Sequence, residues 1–288
     1  MSTPQTPLPQ QAAPPSWESG YTSPIPVVRA HLGHAIVSEW TKIRSVRSTV
    51  WTLGIYMLIV LGMGALIAWA IVRVPSEFHG SENPLVFGFF GLLVGSVCII
   101  TLGVLTVASE YGTGMIRTTM TACPSRIRVL AAKALVFFLV AFTTTLFSAG
   151  LVALVHTALL DGTGARQPTG EEWLRGTLGI SLYLAMLGLL SLAVGAILRH
   201  SAGAITLMIG VVLAPLVLAA FMQVESLEKL RDALFDYSIP SQMAVFYANT
   251  GATLRDSGPS GWDSLWIILG MTAAAFAVAC VLLQKRDV

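Results

Sequence analysis

Charge is what this 288-residue sequence has least of: Asp, Glu, Lys and Arg make up 11% of it, against 55% hydrophobic residues. Soluble domains carry about 25% charged residues, so a surface wetted on all sides is excluded and a polytopic membrane protein is indicated. The net charge of +2 comes from basic residues scattered beside apolar runs, not gathered in a patch, which excludes nucleic acid as a partner. Cysteine is scarce as well. Cys98, Cys123 and Cys280 lie far apart, two of them in apolar runs, so neither a disulfide framework nor a metal cluster is expected. The phosphate-binding loop GxxxxGK followed by Ser or Thr is absent, so this chain does not bind ATP through that motif.

Lysine and arginine are missing altogether from residues 1–26, which hold seven of the fourteen prolines and three glutamines. Such a stretch buries too little apolar surface to fold and reads as a disordered tail. It has neither the basic start nor the apolar centre of a secretory signal. Residues 27–48 change character. Val28, Leu32, Ala35, Ile36, Glu39, Trp40, Ile43 and Val46 recur mostly at helical spacing, with Arg29, Lys42, Arg44 and Arg47 largely off that stripe. The pattern predicts a basic amphipathic helix lying along the headgroups of the inner leaflet. His31 and His34 are one turn apart, but no third ligand is near, so polar-face histidines are expected.

Six segments reach the roughly 20 apolar residues a spanning helix needs: 50–72, 84–108, 134–160, 177–198, 202–222 and 264–283. The expected fold is all-α, one six-helix membrane domain over 27–288. Gly62, Gly64, Gly88, Gly91, Gly95, Gly188, Gly195 and Gly210 mark places where helices approach closely, and Pro215 sits inside span five. With the tail inside, the inner segments carry eleven of the seventeen Lys and Arg and the outer segments six, which places both termini in the cytoplasm. Residues 223–263 form the long outer segment. Within it, 225–236 is amphipathic through Leu227, Leu230, Leu234 and Phe235, and an apolar piece too short to span follows. Trp262 and Trp266 fit an outer aromatic belt.

None of the six windows contains Asp, Glu, Lys or Arg, which disfavours a proton-driven carrier and a voltage sensor. Thr143, Thr144, Thr145 and Ser148, with His156, are the most polar features within the spans. Ser and Thr can bond back to their own helix, and Ser148 and His156 are about 12 Å apart along one axis, which discounts an intramembrane protease.

Between spans two and three lies SEYGTGMIRTTMTACPSRIRVLAAK, residues 109–133, a dense and mostly basic interruption. Residues 115–121 hold no helix breaker, and Pro124 disfavours helix just before it, so a short helix is expected there. Tyr111, Met115 and Thr118 or Thr119 would share one side of it, a small face open to a partner.

This stretch and SEWTKIRSVRSTVWTL, residues 38–53, together with the six spans, resemble the permease subunit of ABC-2 type ABC transporters, particularly those of actinobacteria. The likeness covers nearly everything after Pro26, and its most specific positions are Glu110, Gly114, Pro124 and Arg126, with Lys133 beyond. The resemblance implies a bacterial plasma-membrane protein that pairs as a homodimer and docks two copies of a separate ATP-binding subunit, which holds the ATP and Mg. Residues 111–121 would be the coupling helix, with Gly112, Gly114 and Met115 shaping it and Glu110 and Arg117 as polar contacts. Arg126, Arg128 and Lys133 would touch either that partner or lipid phosphates. The helix with Glu39, Trp40, Lys42, Arg44 and Arg47 would ride on the membrane and move span one. Spans two and five would line the path through Phe87, Phe89, Phe90, Met208 and Met222, for an apolar or amphiphilic substrate, and the chain would have no catalytic residue. The alternative is a membrane sensor or force transmitter that moves nothing, with the long outer segment as reader.

Overall fold

The computed structural model describes residues 31–73, 83–122, 125–161, 166–247 and 258–285, and among these there is helix but no strand. The tail at 1–26, Arg29, Cys123 and Pro124 lie outside the described residues. Among the described residues six helices are long and apolar enough to cross a membrane, which makes the chain a multi-pass membrane protein.

Helix α1 (Leu32–Ser45) ends at a single extended residue, Val46, and α2 (Arg47–Ile71) starts at once. A 3-10 turn (Pro84–Gly88), capped by the Asn83 side chain, leads into α3 (Phe89–Thr113). The short α4 (Met115–Ala122) is followed by α5 (Arg126–Leu160). At 35 residues α5 is about 50 Å long at 1.5 Å per residue, well beyond the hydrocarbon thickness of about 30 Å. The fourth span is one continuous rod: α6 (Gly170–Leu174), a π-helical turn (Arg175–Gly179) and α7 (Ile180–Leu198). Helix α8 (Ser201–Phe221) carries Pro215 in its interior. Short α9 (Glu228–Asp236) and α10 (Ile239–Ala244) precede α11 (Asp263–Lys285).

Helix α7 is the centre of the bundle. It packs against α3, α5, α8 and α11, and 72% of its most apolar window is buried, against 17–22% for α2, α8 and α11. Lipid gives no hydrophobic drive between helices, so close backbone approach has to supply the attraction. The tightest approach is Gly103 on α3 against Gly188 on α7, where a Cβ on Gly103 would overlap the Gly188 carbonyl oxygen. Gly64, Gly88, Gly91, Gly95 and Gly195 also lie against neighbours, whereas Gly62 and Gly210 face open space. Thr272 on α11 donates to the Met186 carbonyl of α7 at 3.2 Å.

The polar groups of α5 tie it to α2. Tyr56 donates to Thr145 at 3.1 Å, Ser148 donates to the Tyr56 hydroxyl at 3.4 Å, and His156 Nε2 meets the Gly64 carbonyl at 2.9 Å. Ser148 and His156 thus have separate structural partners.

Several boundaries differ from the apolar windows. Span two continues to Thr113, so Tyr111 belongs to it and not to the short helix, which starts only at Met115. Span four starts at Gly170, seven residues before the window, because a capping box of Thr169 and Glu172 nucleates it earlier. That extension draws Glu172 and Arg175 into a buried stretch of helix, with side chains 6% and 3% exposed. The absence of charge from the windows therefore does not hold for the whole helices.

On the far side, 225–236 is a 3-10 turn and α9, not one helix. Leu227, Leu230 and Phe235 are exposed while Arg231 and Asp232 are partly covered, and α9 lies against α8 and α10. The apolar piece after it is α10, buried through Ile239, Pro240, Gln242 and Met243.

Candidate functional site

One feature of the bundle is out of keeping with an apolar interior: four ionised side chains from three helices meet in a single knot. Glu39 and Lys42 stand one turn apart on α1, Glu110 near the end of α3, and Lys133 two turns into α5. Lys133 Nζ lies 2.8 Å from Glu39 Oε2 and 2.6 Å from Glu110 Oε1. Lys42 Nζ lies 2.9 Å from Glu39 Oε1 and 2.9 Å from Glu110 Oε1. Each carboxylate bridges both ammonium groups, and the knot is neutral. Glu39, Glu110 and Lys133 are 4%, 5% and 2% exposed. At such burial each charge depends on its partners, because a lone one would bear the full desolvation cost.

Burial disfavours the charged form of Lys42, but the hydrogen bonds to Glu110 and Glu39 more than offset it, and its pKa is raised above the ordinary 10.5. Lys42 Nζ also donates to Thr119 Oγ1 at 3.4 Å, which brings α4 into the knot. Glu110 Oε2 is buried and accepts no hydrogen bond.

The local sequence explains how the elements converge. Only glycine adopts a left-handed conformation without steric cost. Gly114, at φ 75°, ends α3 with its N–H on the Tyr111 carbonyl and offers its own carbonyl to Arg117 N–H to start α4. The result is a short helix set at an angle to a long one. Its inner side holds Ile116, Thr119 and Met120, and its outer side presents Met115, Arg117 and Thr118. At the other joint Val46 lets α1 turn sharply into α2.

The residues marked in the sequence fall into different places. Glu110, expected to face a partner, is turned inward by its two lysines. Lys133, expected to meet a partner or lipid phosphate, is buried against two acids. Tyr111 is half-buried beneath Arg199, whose guanidinium stands 4.9 Å from the ring centre. Gly112, Met115 and Arg117 are exposed, and Arg126 donates to the Leu283 carbonyl at 2.7 Å, tying α5 to the end of α11. Along α1 the inward stripe is Ala35, Ile36, Glu39, Lys42 and Ile43, while Trp40 and Arg44 face out and Arg47 is exposed beyond the bend. Trp40 is therefore not on the packed side, and Lys42 is.

The proposed path residues also separate. Phe90 is exposed, Met222 is half-buried, and Phe87 stands edge-on to His156 at 6.3 Å. Met208 is 2% exposed, because α8 packs Ala204, Met208 and Val212 into the bundle, so it lines no open surface of the chain. His31 and His34 stack at 3.7 Å.

No curated protein matches the chain. The family described as a protein of unknown function, DUF2705, matches residues 76–288, from before α3 to the C-terminus. The match takes in Glu110, Lys133 and α4, and leaves Glu39 and Lys42 ahead of it. It spans well over half of the sequence, and the chain belongs to the DUF2705 family.

Proposed function

We propose that the chain is the membrane-spanning subunit of an ATP-driven exporter for apolar or amphiphilic compounds. It works as a homodimer in a bacterial plasma membrane, with both termini cytoplasmic. A separate ATP-binding subunit, in two copies, holds ATP and Mg and does the hydrolysis. The observation that carries this reading is α4: a short helix set off by Gly114, with Met115, Arg117 and Thr118 open on one side and Thr119 held by Lys42 on the other.

A push on α4 is transmitted through Lys42 to α1, through Glu110 to α3 and through Lys133 to α5. Because α1 joins α2 through one extended residue, tilting α1 tilts the first span. Alternating access follows if closure of the ATP-binding subunits rocks this knot as a unit. Arg117 and Met115, rather than Glu110, are then the contacts offered to the partner.

The test is co-purification and transport in reconstituted vesicles. Deleting α4 is expected to abolish retention of the ATP-binding subunit, and Arg117→Glu to remove substrate-stimulated ATP hydrolysis while the bundle stays folded. If the subunit is retained without α4, that helix is not the coupling element. If the subunit binds and hydrolyses ATP but nothing moves, the sensor reading replaces export.

A further inference from the structure

At the end of the bundle opposite the knot, the central rod carries a charge that its surroundings do not satisfy. Arg175 opens the π-helical turn Arg175–Gly179, and its side chain is 3% exposed. Its Nε is buried and makes no hydrogen bond. Its ion partner among the described residues, Glu171, stands 3.5 Å from Nε and is 59% exposed, so water screens most of what that pair contributes. A buried cation so poorly paired is costly, and charges of this kind in a membrane span mark function by default. A π-helical turn inside an α-helix is often a functional feature too. Here the two coincide at one residue.

The turn holds one residue more than an α-helical turn, because its bonds run from i to i−5 and not to i−4. Ile180 N–H accordingly reaches the Arg175 carbonyl. If the rod closed into plain α-helix with α7 fixed, every residue ahead of the turn would rotate by about 100°, onto the bearing its predecessor now has. Arg175 would leave the interior for the bearing of Leu174, which is exposed. Glu172 would leave it for that of exposed Glu171, and Trp173, already packed against the core, would fill the place of Glu172. The α-helical register thus brings two charges out and an indole in. What holds the present register is the segment after α10. Tyr247 donates to the Gly176 carbonyl at 3.2 Å, inside the turn. Gly176 and Gly179 put no side chain in the way, so Tyr247 lies against the first, and Phe246 and Trp262 against the second.

We propose that the π-helical turn is a register switch, latched in its present state by Tyr247 and Phe246 and driven toward α-helix by the poorly paired charge of Arg175. One hydrogen bond and the aromatic packing stand against the burial of one cation, so the two registers are close in free energy. The latch residues follow α10 directly. A shift of α10 and Tyr247 away from the rod therefore frees the turn, and Arg175 swings out. The switch does not depend on the export reading, since an exporter or a sensor would use the same joint.

The full chain in nanodiscs, without its native cysteines and with nitroxide labels at Leu159→Cys and Leu174→Cys, tests this through the distance between the labels. Both positions are exposed, and α5 packs against the turn. A rotation of about 100° moves the tip of a side chain on a rod by about 8 Å. Tyr247→Phe is expected to raise the share of a second label distance about fivefold over the parent, the worth of one hydrogen bond. Adding Arg175→Leu to Tyr247→Phe is expected to restore the first distance, and Arg175→Leu alone to raise the thermal midpoint by a few degrees. Deleting Thr177 takes out the extra residue, so the labels should keep the first distance even with Tyr247→Phe. Should that deletion fail to fold, Arg175→Leu decides the matter. A single distance in parent and Tyr247→Phe alike, a second distance that persists with Arg175→Leu, or a lower midpoint in Arg175→Leu would each overturn the proposal.

Discussion

At the scale of single residues the knot of Glu39, Lys42, Glu110 and Lys133 makes the sharpest predictions. Lys133→Met leaves two buried carboxylates sharing one ammonium, and removing one member of such a set costs about 3–5 kcal/mol. A marked fall in the thermal midpoint of the detergent-purified protein is expected, with partial recovery when Glu110→Gln is added. If Lys133→Met alone melts like the parent, the four charges do not act as one unit. The raised pKa of Lys42 sets a pH signature. A group held more basic in the folded state contributes its stability in full below its unfolded pKa and loses it as pH rises through the folded value. Lys42 therefore adds nothing to acid sensitivity and gives way only above about pH 10.5, its ordinary value; a melting series in the parent and in Lys42→Met should diverge below that pH and converge above it. One acid on an otherwise apolar stripe, Glu39, was the visible sign of the knot. Its partners were not legible: periodicity describes a single helix, and Lys133 is 94 residues from Glu39.

Between elements, the decisive feature is where one helix stops and the next begins. Gly114→Ala keeps the sequence helical but forces a Cβ into the left-handed region, at roughly 1–2 kcal/mol. The strain is relieved if α3 runs straight on, which would carry α4 away from Lys42. Loss of partner-stimulated ATP hydrolysis with little change in thermal midpoint is the expected result, and full coupling would show that the break is dispensable. Packing along the rods is tested by Gly103→Ala. Its new methyl group meets the Gly188 carbonyl, a backbone atom that cannot turn aside, and overpacking of this kind costs about 1–3 kcal/mol. Hydrophobic runs located all six rods, because burying twenty apolar residues in lipid leaves little choice, and a stretch free of breakers ahead of Pro124 located the short helix at 115–121. Rod ends were harder to place. Hydropathy marks where lipid starts, whereas a helix ends at a cap, and Thr169 and Gly114 lie outside the apolar windows.

Considered whole, the molecule is a bundle built around α7, and its helices differ in how much they depend on the rest. Hydrogen exchange in nanodiscs should therefore find amides of α7 the slowest and those of α11, with 17% of its apolar window buried, faster. The reverse order would mean that another helix holds the centre. The proposed cytoplasmic placement of α1 is open to a labelling test. In a background without the native cysteines, Lys229→Cys should react with an impermeant maleimide on intact cells and Ser45→Cys only after lysis. The opposite pattern would turn the molecule over and remove α4 from the reach of an ATP-binding partner. The central position of α7 also bears on biogenesis. The five other described rods leave the ribosome before α11, so until α11 is made the flank of α7 that receives Thr272 at the Met186 carbonyl lacks its partner. A nascent chain stalled short of α11 would expose that flank, which is where a membrane protease or insertase would tell a packed bundle from an unpacked one.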